Sequence, residues 1–169
     1  RAPRRLGWHA HTQGMNILLI SYFFPPYNTI GGVRLGKMAK YLTRAHHDVR
    51  VLTARDQFAA HSLKVEVPPD NVTATPWINL NWFVQQTLGG QKTISKEGYR
   101  VSGPFAGLLH WGGSLYKNLV NIPDGQIGWL PYAVVAGDAM IKQNRPDVIY
   151  ASFPAATSLL VAAILAERH

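Results

Sequence analysis

The feature that most constrains the fold is the stretch from Met15 to Thr53. Met15–Tyr22 (MNILLISY) is a short apolar run of the kind that forms a buried strand. Pro25 and Pro26 end it, because proline has no amide to give a ladder. Residues 23–32 then read as a loop. In residues 33–44, Val33, Leu35, Met38, Ala39, Tyr41 and Leu42 form a stripe at helical spacing. Arg34, Lys37, Lys40 and Arg44 fall mostly off that stripe. Residues 49–53 (VRVLT) read as a second strand. Strand, helix and strand within about 40 residues make a βαβ unit, whose crossover lets two strands pair in parallel.

The same grammar returns at the other end. Pro131 can start a helix over residues 131–144, which Arg145-Pro146 closes. Asp147–Ser152 (DVIYAS) is a clear strand, and an Ala- and Leu-rich helix is expected over 155–168. Val72–Thr75 reads as a further short strand. Residues 77–127 carry Trp77, Trp82 and Trp111 and little period, and read as an irregular insertion. The fold class expected is α/β: a Rossmann-like parallel sheet with helices on both faces, occupying 15–169 as one domain. Residues 1–14 have no periodicity and no acid, and are expected to be a disordered upstream or non-native extension.

Composition narrows the chemistry. The absence of cysteine removes disulfides, thiol nucleophiles and Cys-based zinc sites. No run of 18 apolar residues occurs, so no ordinary membrane-spanning helix is expected. The net charge of +8 favours phosphate-bearing partners in general. No dense Lys/Arg run follows residue 14, which argues against nucleic acid.

Gly31-Gly32, at the entrance to the first helix, is the most informative spot. A helix N-terminus offers unpaired amides and partial positive charge, and glycines let an oxyanion approach closely. A plain flexible turn is the alternative reading. The phosphate reading requires the pair to lie open at the rim of the sheet. The dinucleotide fingerprint fits poorly, since Val33 stands where a glycine is needed and Asp56 lies past the end of the second strand. Gly31 through Lys37 nearly matches a P-loop, but Met38 replaces the magnesium-binding hydroxyl. No Ser-His-Asp set and no metal spacing is evident.

The segment MNILLISYFFPPYNTIGGVRLGKMAKYLTRAHHDVRVLTAR resembles the opening of glycosyltransferase family 4 enzymes. Its features are a strand, a proline-bearing loop, a Gly-Gly pair, a helix, a "GHEV"-like turn (here His46-His47-Asp48-Val49) and a "VLT" strand. His46 replaces the usual glycine, so it must adopt or avoid the left-handed helix end. IPDGQIGWLPYAVVAGDAMIKQNRPDVIYASFPAATSLLVAAILAERH is similar to a second family stretch. The resemblance implies the N-terminal, acceptor-side half of a two-domain GT-B enzyme that transfers sugar with retention. The donor would be a UDP- or GDP-sugar, and the acceptor a glycan or lipid-linked sugar. Gly31, Gly32 and, more weakly, Arg34 would lie by the donor diphosphate, and His110 is a weak acceptor-side candidate. Catalytic residues are expected in an absent C-terminal half. No cofactor and no metal is expected, because basic side chains can do a metal's work. A cytoplasmic location follows, with possible contact at an anionic membrane face. Two rival readings stay open: an inactive or acceptor-binding fragment, and a nicotinamide-binding Rossmann protein.

Overall fold

The computed structural model describes residues 14–79 and 123–169. The extension expected over residues 1–14 lies almost wholly outside the described residues, as do His110 and most of the insertion expected over 77–127.

Four parallel strands form one sheet: β1 (Asn16–Ile20), β2 (Asp48–Ala54), β3 (Val72–Thr75) and β4 (Val148–Ala151), in the order β3-β2-β1-β4. Among the described residues, three α-helices pack on it: α1 (Ile30–Arg44), α2 (Leu130–Gln143) and α3 (Ala156–Arg168). Ile17 and Leu19 of β1 turn to one face with Val49 and Val51 of β2, where α1 covers them through Leu35 and Ala39. Leu18, Ile20 and Leu52 turn to the other face, against Trp129, Ala133 and Ile141 of the α2 region and Val161 and Leu165 of α3. The alternation follows from the two-residue period of strand side chains. The expected fold is therefore the observed one, a Rossmann-like parallel sheet with helices on both faces.

The centre is dry. Leu19, Ile20, Val49 and Leu52 are wholly buried, and truncating Leu19, Ile20 or Leu52 to alanine costs on the order of 2–5 kcal/mol. Trp129 is also wholly buried, and its Nε1 donates to Thr75 Oγ1 at 2.7 Å, which satisfies the one polar atom of the ring.

Helix α1 begins three residues earlier than its apolar period suggests. Thr29 is its N-cap: the backbone there is extended, and Oγ1 accepts from Gly32 N at 3.0 Å. At the other end His46 does adopt the left-handed conformation, with φ of 65°. Its amide donates to Thr43 O at 3.1 Å and that of His47 to Leu42 O at 3.2 Å, a Schellman closure built without glycine. The histidine bears a strain of about 1–2 kcal/mol to make it.

Candidate functional site

The strand order sets where a ligand can enter. From β1 the chain crosses to β2 and on to β3, and then returns to the opposite side of β1 for β4. The winding direction reverses between β1 and β4. In an open α/β sheet the carboxyl ends of two such strands diverge and leave a crevice. The loop 21–29 and the start of α1 form one wall here. Ser152, Phe153, Pro154 and the start of α3 form the other.

Arg34 spans that crevice. Its Nη2 donates to Ser152 Oγ at 2.6 Å and to the carbonyl of Phe153. Ser152 Oγ in turn donates to Phe153 O at 3.0 Å, so a hydroxyl and a carbonyl jointly hold the guanidinium. The partners lie 118 and 119 positions away in sequence, which is why no local pattern announces them. Nε and Nη1 of Arg34 make no hydrogen bond among the described residues. A guanidinium carries five N–H donors, so several remain for an incoming anion.

The glycine pair departs from expectation. Gly31 and Gly32 are both buried and do not lie open at the rim. A Cβ on Gly31 would sit 3.1 Å from Pro154 Cδ and 3.3 Å from Phe23 Cβ. On Gly32 it would sit 2.7 Å from Tyr27 O and 2.9 Å from Thr29 Oγ1. The pair serves close packing between the two walls. The amide of Gly32 is taken by Thr29, so it is not bare. Of the first-turn amides, those of Ile30 and Gly31 make no hydrogen bond among the described residues. Lys37 is no free helix lysine either: with Lys40 it grips Glu66, at 2.6 Å from Lys37. The hydrogen bond from Lys37, then that from Lys40, holds the Glu66 carboxyl down at about 2.

A second helix start faces the same crevice and is already filled. Asp124 Oδ2 accepts from the amide of Thr157, in the first turn of α3, at 2.9 Å. Oδ1 accepts from the Thr157 hydroxyl and from Gln126 N, the latter at 3.0 Å. Ser158 Oγ accepts from Tyr22 N at 3.0 Å, tying the exit of β1 to α3. Burial, then the neighbouring Tyr27 and Asp124, pushes the Tyr22 phenol above its ordinary range.

Neither Asp124 nor Ser152 stands out in the sequence. Nothing local marks either, because each acts on a partner from the far part of the chain. Thr29 did have a signal: a threonine just ahead of a helical period is an N-cap pattern. The two glycines masked it by reading as loop. His46 and His47 lie at the far turn, as expected. Among the described residues, no three His, Asp or Glu side chains come together to hold a metal ion. No described helix is long and apolar enough to cross a membrane.

The fold defines a class: a Rossmann-like α/β domain, with Arg34 seated at its topological switch point. Comparison with known protein families, with curated proteins and with solved structures gives no match for this chain.

Proposed function

We infer that this chain is the acceptor-side domain of a retaining glycosyltransferase, which moves a sugar from a nucleotide-diphosphate sugar to a glycan or lipid-linked acceptor. The observation that carries the reading is Arg34, held across the β1/β4 crevice by Ser152 and Phe153 with donors to spare. The resemblance of residues 15–57 and 122–169 to glycosyltransferase family 4 supports it. So does the position of the crevice, where open α/β sheets bind ligands.

In the reaction, the bond from the sugar's anomeric carbon to the diphosphate oxygen breaks, and its electron pair leaves with the diphosphate. The acceptor hydroxyl forms the new bond, and its proton goes to the departing diphosphate. A cation placed before the reaction where charge builds lowers the barrier without reorganising. Arg34 is suited to that, and the free first-turn amides of α1 add positive potential. Gly32 is not assigned a phosphate contact. A Gly32→Asp variant would report on packing against Tyr27 O and not on the diphosphate.

The test pairs binding with turnover. Titration of UDP, GDP and pyrophosphate into the protein by calorimetry should show Arg34→Ala weakening each by about tenfold or more, the scale of one lost charge-assisted contact. Donor hydrolysis and transfer, assayed on the product of the complete gene with UDP- and GDP-sugars, should fall in parallel. Unchanged diphosphate affinity in Arg34→Ala would remove the role given to this residue. An absence of transfer from every donor would leave a binding domain and no enzyme.

A further inference from the structure

A second surface on the same rim is built for a different ligand chemistry. The chain leaves β2 through Arg55, Asp56, Gln57 and Phe58. Asp56 is left-handed, with φ of 56°, a conformation that aspartate tolerates better than most residues other than glycine. Two contacts hold it there: its amide donates to Tyr27 Oη at 2.6 Å, and its carbonyl accepts from Trp77 Nε1 at 3.4 Å. The turn sends the next two side chains in opposite directions. Gln57 goes inward and is 6% exposed, with Nε2 donating to the carbonyls of Tyr22 and Ala54. Phe58 goes outward and is 84% exposed.

That ring is not adrift in solvent. Phe58 meets Trp77 with ring centres 5.8 Å apart and planes at 85°. Trp77 meets Tyr22 at 5.5 Å, and Tyr22 meets the buried Trp129 at 5.7 Å, each again edge to face. The exposed ring therefore stands at the end of an aromatic series rooted in the core, and its corner with Trp77 is set before any ligand arrives. Beside the corner, the carboxylate of Asp56 is 83% exposed and lies 3.5 Å from Nε of Arg55. The turn, with Trp77 beside it, thus offers an apolar corner, the two oxygens of one carboxylate and a guanidinium.

We propose that Phe58 and Trp77, with Asp56 at their edge, form a binding site for a pyranose ring of a neutral glycan. A pyranose has one face of C–H groups and a rim of hydroxyls. The first packs on an aromatic face, and the second donates to a carboxylate. A planar base gains most from parallel walls, which rings at 85° do not provide. A nucleotide's phosphates would also meet the Asp56 carboxylate. As an acceptor subsite, the surface rests on the transferase reading above. As a sugar site, it stands on the rings and Asp56 alone.

Saturation-transfer NMR on the whole chain, with methyl hexopyranosides of the gluco, galacto and manno series, tests it. Transfer to the ring C–H protons of at least one of them is expected. Phe58→Ala should weaken that binding by about tenfold, and Asp56→Asn by less. Because Phe58 is exposed, its variant should keep the wild-type circular dichroism and melting point. No transfer from any hexopyranoside, binding undiminished in folded Phe58→Ala, or transfer to uridine without transfer to the sugars would each overturn the proposal. A parallel pyrophosphate titration separates the two readings. Sugar binding without pyrophosphate binding sinks the diphosphate role of Arg34, and the converse sinks this one.

Discussion

Two helix starts face each other across the β1/β4 crevice, and they are finished in opposite ways. At α3 the protein supplies its own anion: Asp124 reaches the Thr157 amide at 2.9 Å and its hydroxyl as well. At α1 the cap is the neutral Thr29, which takes one amide and leaves those of Ile30 and Gly31 without a partner among the described residues. Arg34 adds a cation beside the second start and nothing comparable serves the first. The difference teaches that a helix N-terminus at a ligand-bearing rim is not in itself an anion site. An internal carboxylate can satisfy it beforehand, and then it is architecture. Only the α1 side keeps positive potential for a guest.

The comparison can be broken most forcefully at Asp124. Asp124→Ala strips α3 of its anion and leaves the Thr157 amide and hydroxyl unpaired, so a loss of about 2–3 kcal/mol is expected. Urea unfolding measures it. Inorganic phosphate should then stabilise the variant more than the wild type, because the vacated helix start becomes a second anion site. Equal stabilisation of the two proteins would show that α3 never had potential to offer. Thr29→Ala is the matching change at α1, with an expected cost of about 1 kcal/mol, the usual worth of a hydroxyl N-cap. It should lower the urea midpoint without altering the slope.

The smallest effect lies further along α1. Glu66, held at about 2 by Lys37 and Lys40, has a folded-state pKa below its unfolded one. Its contribution is complete above the ordinary carboxylate range and is lost as pH falls from about 4.5 through about 2. Carboxyl-carbon NMR should place its midpoint near the lower value, and Lys37→Ala should raise it. A midpoint in the ordinary range would show that the lysines leave Glu66 free, and α1 would lose its tie to residues 61–68.

Much of the fold was legible because it depends on local pattern. The apolar run before Pro25, the helix over 33–44 and the DVIYAS strand appear where their periodicities put them, although of the helical stripe Leu35, Met38, Ala39 and Leu42 turn to the core while Val33 and Tyr41 stay exposed. The site was less legible, and the glycines show why. Gly31 and Gly32 were read as open loop because glycine is a poor helix former. In the structure they form the first turn of α1, where a side chain at Gly31 would crowd Pro154 and Phe23 and one at Gly32 would collide with the carbonyl of Tyr27. Propensity weighs a residue against its own backbone and knows nothing of a wall brought up from far along the chain.

The order of strands and helices along the chain and the parallel pairing of β1 with β2 were determined by the sequence alone. Hydrophobic period and chain stops are properties of neighbouring residues. The tertiary structure alone decided that Arg34 is held by Ser152, that Asp124 closes α3, and that Phe58 stands on Trp77 at the mouth of the sheet. The first and last of those pairings each join residues from two different strand exits. A parallel sheet gathers its exits on one edge whatever their separation in sequence, so the chemistry of that edge emerges only when the strands align.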